Sequence, residues 1–283
     1  MRIVSLLASG TEIVCALGLG EFLVGRSHEC DNPGWVCSLP PCSEPAFDVS
    51  VSSREIDTEV NRRIRSGEPL YTIHHDRIAE LNPDVIIAQQ HCEVCAVTPG
   101  DLTPEIRGKV VPLSAFSLED IFESVRQIAR ATGVPEARTD ELICDQRKRL
   151  DRVRGLTQGL RRPTVVVLEW ADPLFSMGNW GPELVEIAGG EPLLAAKGQY
   201  SRAIPSEQLR EADPEFLIVA PCGFDRERSL AEKAVLEKLP LWNELRAVKN
   251  GRVVFEDGNV YFNRSGMTIA RTAEIIAGIL HSV

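Results

Sequence analysis

One uninterrupted segment, Pro135 to Gln158, most narrowly limits what this chain can become. It opens on a proline, contains no other, and holds a single glycine, Gly155. Leu142, Gln146, Leu150, Val153 and Leu156 recur every three or four residues among Arg, Lys, Asp and Glu. That is the period of an amphipathic helix with one narrow apolar stripe. At 1.5 Å per residue the helix spans about 36 Å, long for a compact domain.

The flanks of this rod repeat one another. Ile78-Ala-Glu-Leu-Asn-Pro-Asp-Val-Ile-Ile-Ala-Gln89 stands before it, and Leu209-Arg-Glu-Ala-Asp-Pro-Glu-Phe-Leu-Ile-Val-Ala220 after it. Each reads as a helix end, an Asx-Pro-acid turn and a buried parallel strand. The expected division is an N-terminal α/β lobe over residues 1–132, a linking backbone helix over 133–160 and a C-terminal α/β lobe over 161–283. A cleft is expected between the lobes.

Strands are expected at 2–7, 21–26, 70–73, 85–88 and 110–113 in the first lobe. In the second they fall at 164–169, 216–220 and 252–255. Helices are expected at 13–19, 55–65, 75–81, 118–131, 183–188, 230–238 and 266–281. Alternating strands and helices make both lobes parallel, Rossmann-like sheets, and such sheets bind ligands beyond the carboxyl ends of their strands. Residues 27–48 form a long loop with four prolines and three cysteines, and 170–181 a loop rich in aromatics. Long loops inside compact domains are usually functional.

A net charge of −10 argues against nucleic acid, which needs clustered Lys and Arg. Membrane insertion is not expected, since apolar runs fall short of a membrane span. Because Met1-Arg-Ile-Val already reads as the first strand, the chain taken literally is cytoplasmic, or periplasmic if a signal was removed. In a reducing compartment its eight cysteines serve as thiols or ligands rather than as disulfides.

The motif order is Leu6-Leu-Ala-Ser-Gly-Thr-Glu12, Arg26-Ser-His-Glu-Cys-Asp-Asn-Pro33, Leu81-Asn-Pro-Asp-Val-Ile-Ile-Ala88, the rod, Pro173-Leu-Phe-Ser-Met-Gly178, Gly189-Gly190-Glu191 and Phe262-Asn-Arg264. Over essentially its whole length the chain thereby resembles the cobalamin-binding substrate-binding proteins of ABC importers. More broadly it is similar to the helical-backbone metal-receptor superfamily, which also takes siderophores, haem and metals. The resemblance implies a class III binding-protein fold, two lobes on a rigid helix with little closure, and no catalysis. It also implies a cobalamin, other corrinoid or related metal chelate as ligand, and docking to an ABC permease if the protein is exported. One exposed acid on each lobe would dock, with Glu93 or Glu105 and Glu207 or Glu227 as candidates.

The strand-end loops supply the candidate ligand-binding residues: Ser9, Thr11, His28, Gln89 and His91 from the first lobe, and Trp170, Phe175, Trp180, Tyr261 and Phe262 from the second. A flat macrocycle uses aromatics as faces and polar groups as orienting contacts. Trp170 and Tyr261 serve equally as plain core. The family pattern would place cobalamin-pressing aromatics near His28 and Gln89, where this chain is polar. A histidine there suits an axial position on a corrinoid cobalt or a haem iron, or an ordinary hydrogen bond.

Cys30, Cys37 and Cys42 share one loop, and Cys92 and Cys95 form a C-x-x-C in another. If the loops meet, five thiols suit zinc, an iron–sulfur cluster or a redox pair. The alternative function is therefore a Cys-ligated metal or redox protein, or an enzyme, on the same scaffold. The same cysteines also read as inert small side chains of a proline-rich loop.

Overall fold

The computed structural model describes residues 1–90, 96–107, 109–240 and 242–283. The chain forms two units. One comprises Met1–Ala115 and Glu119–Cys144, the other Phe116–Leu118 and Asp145–Val283.

In chain order the first unit carries β1 (Ile3–Ser5), α1 (Ala8–Ala16), β2 (Leu23–Arg26), β3 (Ser43–Pro45), α2 (Ser53–Ser66), β4 (Tyr71–Ile73), α3 (His75–Leu81), β5 (Val85–Gln89), α4 (Pro104–Arg107), β6 (Val110–Leu113) and α5 (Leu118–Thr132). Its main sheet runs β2-β1-β5-β6, every pair parallel. All residues of β1 and β5 are buried, as expected for unbroken apolar runs covered on both faces.

Two features of this unit differ from expectation. Helix α1 begins at Ala8 rather than Ile13. Residues 8–12, left between the expected strand and helix, are its first residues, and a Cβ on Gly10 among them would come within 2.5 Å of the Ile87 side chain. Only a smooth helix surface fits so close to β5. The second difference is β3, which lies inside the expected long loop and pairs antiparallel with β4 in a separate two-stranded sheet. The unit is therefore not wholly parallel.

Helix α6 (Glu136–Thr157) begins in the first unit and ends in the second. Its buried stripe is Thr139, Ile143, Gln146, Leu150, Val153 and Thr157. Leu156, expected inside, is 57% exposed. Thr157 takes its place, donating its hydroxyl to the carbonyls of Val153 and Ile187, both at 3.2 Å. A buried threonine satisfied in this way fits where a leucine would not turn inward.

The second unit carries β7 (Thr164–Ala171), β8 (Leu174–Ser176), α7 (Gly181–Ile187), β9 (Glu191–Pro192), β10 (Arg202–Ala203), α8 (Ser206–Ala212), β11 (Phe216–Val219), α9 (Arg226–Ala231), α10 (Lys233–Leu236), α11 (Arg246–Lys249), β12 (Val253–Phe255) and α12 (Ile269–His281). Strands β9, β7, β11 and β12 are parallel and repeat the order of the first sheet. Part of the expected loop at 170–181 is strand: β7 reaches Ala171 and turns back at Asp172-Pro173 into antiparallel β8. The single helix expected at 230–238 is two short ones, α9 and α10. Beneath the sheet, Val166, Leu168, Leu209, Leu217, Val219, Leu236 and Trp242 form the core.

The duplicated turns match in conformation. Asn82 ends α3 at φ 40°, and Asp213 ends α8 at φ 36°, both left-handed. Asn and Asp tolerate that region, and the proline after each cannot continue the helix. The next residues enter β5 and β11, which hold equivalent places in the two sheets.

Candidate functional site

In each unit the side chains of interest follow the carboxyl ends of parallel strands, where helix packing leaves the surface open. In the first unit, β2 ends at Arg26 and leads into Ser27 and His28. The Arg26 guanidinium folds the following loop around itself, donating to the carbonyls of Ser27 (2.9 Å), His28 (3.3 Å) and Cys37 (3.3 Å). His28 is thereby carried onto the face of the β3–β4 sheet. Its Nδ1 is 3.0 Å from the Ser43 hydroxyl, and its ring centroid 5.4 Å from that of Tyr71.

Burial, reinforced by the Arg26 charge, pushes His28 down to about 4. The imidazole is therefore neutral at pH 7. A neutral ring held at Nδ1 and left half-buried can accept or donate a hydrogen bond, stack, or ligate a metal centre.

Ser9 and Thr11 are buried within α1. Thr11 donates its hydroxyl to Cys30 Sγ at 2.9 Å, and that thiol lies 3.6 Å from the Ser5 carbonyl. Gln89, the last residue of β5, is also buried. His91, Cys92 and Cys95 lie outside the described residues, as does Glu93.

The three cysteines of the first loop occupy separate environments. Cys30 is buried against α1, Cys42 is buried under the Leu81 side of Gly25, and Cys37 is exposed on a short 3-10 turn. Burial pushes the Cys42 thiol up to about 11, so it is a thiol rather than a thiolate at neutral pH. Among the described residues, no three His, Cys, Asp or Glu side chains gather as a metal site. Zinc, an iron–sulfur cluster and a Cys-based redox centre thus find no support there.

In the second unit Trp170 lies near the end of β7, half-buried, with its ring 5.2 Å from that of Phe224 in the loop after β11. The Arg228 guanidinium covers Phe224 at 3.6 Å from the ring centroid, within cation–π range. The loop carrying Phe224 is set by Cys222 N–H, which donates to the Glu169 carbonyl at 2.9 Å. Its close neighbour is Gly258, where a Cβ would meet the Pro221 carbonyl oxygen at 2.1 Å. Asn263 fastens both sides, donating to the carbonyls of Ala220 and Gly258 at 2.8 Å each.

Phe175 on β8 and Tyr261 in the turn after β12 are half-buried. Trp180 and Phe262 are buried instead, Phe262 completely. Of the candidate docking acids, Glu207 and Glu227 are exposed in the first turns of α8 and α9. The Glu105 side chain lies outside the described residues.

Sequence reasoning missed Tyr71, Phe224, Arg228 and Tyr200. Tyr200 is 58% exposed and meets Phe116 edge-on at 4.9 Å. It stands on a loop pressed to Gly178, where a Cβ would come within 2.5 Å of the Gln199 carbonyl oxygen. Phe224 had a visible signal, an aromatic two residues beyond Cys222 in a strand-end loop. Tyr71 had none, because the strand pairing that presents it is remote in sequence.

A family model described as periplasmic binding protein matches residues 3–260. An uncharacterized ABC transporter substrate-binding lipoprotein of Bacillus subtilis is 23% identical over 98% of this chain and 78% of its own length. A vitamin B12-binding protein of Pectobacterium carotovorum is 25% identical over 77% of this chain and 70% of its own. Two solved structures share the fold. The periplasmic heme-binding protein RhuT of Roseiflexus aligns at TM-score 0.73 and 22% identity, covering 99% of this chain and 98% of that one. The vitamin B12-binding protein BtuF of Vibrio cholerae aligns at 0.65 and 20%, covering 98% and 95%. The fold is thus of the class III binding-protein type.

Proposed function

The chain belongs to the periplasmic binding protein family, and from that premise we propose that it binds a metal-centred tetrapyrrole, a corrinoid or a haem, and hands it to an ABC importer. The observation that carries this reading is the placement of rings at the strand ends: His28 with Tyr71 in one unit, Trp170 with Phe224 in the other. The half-buried Trp170 ring, supported by buried Phe224, offers a flat apolar face, and His28 adds a neutral imidazole suited to a metal centre. Relatives bearing vitamin B12-binding and heme-binding names point to the same ligand class. On this reading the protein binds and does not transform its ligand.

In this proposal His28 and Gln89 of the first unit and Trp170, Phe175 and Tyr261 of the second bind the ligand, and His91, two residues past β5 in the sequence, is a further candidate. Ser9, Thr11, Trp180 and Phe262 support the loops from inside. Glu207 or Glu227 is the docking acid of the second unit, and Glu93 or Glu105 that of the first.

No described helix is long and apolar enough to cross a membrane. The cytoplasmic location expected from the sequence finds no support in relatives named periplasmic or lipoprotein. We place the protein with them, on the substrate-delivery side of an importer. Calorimetric titration with cyanocobalamin, cobinamide and hemin tests the reading. Saturable heat with at least one is expected, and none with all three overturns it.

A further inference from the structure

The β3–β4 sheet has only three rungs, Ser43 opposite Ile73, Glu44 opposite Thr72 and Pro45 opposite Tyr71. A two-stranded ribbon of that length is marginal by itself in water. Alternation places Ser43, Pro45, Tyr71 and Ile73 on one face and Glu44 and Thr72 on the other. The first face meets the core around Cys42 and Ile78 and carries both groups that hold His28. The position of that imidazole therefore depends on what holds the ribbon.

One end is held by backbone, through His74 N–H to the Cys42 carbonyl (3.0 Å) and Cys42 N–H to the Arg26 carbonyl (2.7 Å). The other end is held by a side chain. Arg63 on α2 donates Nη1 to the Pro69 carbonyl and Nη2 to the Ala46 carbonyl, each at 2.9 Å. Those carbonyls lie just beyond the last rung, one on each strand, so a single guanidinium ties both chain segments together. A backbone bond, Ala46 N–H to the Leu70 carbonyl at 3.0 Å, accompanies it there.

Arg63 is itself aimed. Its Nε donates to Glu59 at 2.8 Å, and the Phe47 ring lies 5.3 Å from its guanidinium carbon. Arg62 takes a different role: it grips Glu59 and Glu68 and reaches neither strand.

We infer that Arg63 is a positioning residue for the ligand site, setting the His28 ring through the β3–β4 ribbon. The inference rests on the reading that His28 faces the ligand, but it can be tested without any ligand. Two-dimensional NMR of the histidine ring nitrogens in the intact protein, with His28 assigned through His28→Gln, reports the ring directly. Arg63→Ala is expected to shift or broaden the His28 signals and to weaken binding of hemin or cyanocobalamin about tenfold. Arg62→Ala is expected to leave the signals in place and binding within twofold.

Should Arg63→Ala fail to fold, Arg63→Lys is read in the same way. It keeps the charge beside Glu59 but cannot fork to two carbonyls, and a shifted His28 signal is again expected. His28 signals that superimpose on the parent's in the folded Arg63 variant, or that move equally in Arg62→Ala, overturn the inference. If the parent binds neither ligand, the proposed function fails while the ring signals still decide the role of Arg63.

Discussion

The Ser43 hydroxyl lies 3.0 Å from His28 Nδ1, joining a strand of the small ribbon to the loop that follows β2. This bond engages Nδ1 and leaves Nε2, 3.9 Å from a Glu29 carboxylate oxygen, as the other ring nitrogen, since a partner at one nitrogen sets the role of the other. Ser43→Ala is expected to leave the fold intact and cost about 1 kcal/mol of stability. It should also weaken hemin or cobalamin binding severalfold, as read by absorbance titration beside a melting curve.

The depressed His28 titration makes a prediction about pH. In the unfolded chain the imidazole titrates near its ordinary value of 6.5, and in the folded protein at about 4. Between those values the unfolded state binds more protons, so stability falls as pH drops from about 6.5 to about 4. Melting curves of the parent and of His28→Gln should therefore run parallel above pH 7. Below it the parent should lose stability faster, and equal slopes between pH 6.5 and 4 would contradict the assignment.

Gly258 touches the loop after β11 with no room to spare. A Cβ there would lie 2.1 Å from the Pro221 carbonyl oxygen and 2.5 Å from backbone atoms of Ala220. Neither neighbour is a flexible side-chain end, so backbone must shift. Gly258→Ala is expected to destabilise by about 1–3 kcal/mol, measured by chemical denaturation, and to loosen the loop holding Phe224.

Phe224 is buried between the Trp170 ring and the Arg228 guanidinium. Phe224→Ala removes the support beneath both. Stability should fall by about 3 kcal/mol or more, the usual cost of deleting a buried aromatic ring. Trp170→Ala, at a half-buried ring, should cost less stability but weaken ligand binding more. The two variants compared by denaturation and titration separate support from contact.

Much of this arrangement was legible in the residues, for identifiable reasons. Val85-Ile-Ile-Ala88 and Thr164-Val-Val-Val-Leu168 announce buried parallel strands because local composition alone makes them so. The Asn82 and Asp213 turns were equally visible, since an Asx-Pro pair carries its own conformational demand. What stayed hidden depends on partners distant in sequence. Ser43–Pro45 reads as loop until Tyr71–Ile73 lies beside it, and the start of α1, residues 8–12, reads as a turn until Gly10 is seen against Ile87.

Along α6 the period was visible and Gln146, Leu150 and Val153 are buried as expected, but at the two ends Ile143 and Thr157 are inside in place of Leu142 and Leu156. Leu156 has the apolar side chain, yet Thr157 is inside because its hydroxyl finds the Ile187 carbonyl. Within the candidate site, His28, Trp170, Phe175 and Tyr261 followed from strand order, and the structure leaves all four half-buried. Tyr71 emerged only from the contact that holds His28, whereas Phe224, two residues beyond Cys222, was open to the same strand-end reasoning.

The most direct measurement is an absorption titration of the purified, ligand-free protein with hemin and with cyanocobalamin, repeated for His28→Ala. Saturation at one ligand per chain is expected for at least one of them, with affinity lowered tenfold or more in the variant. No spectral change or saturation with either ligand would contradict a tetrapyrrole-binding role, and undiminished affinity in His28→Ala would remove the imidazole from the site.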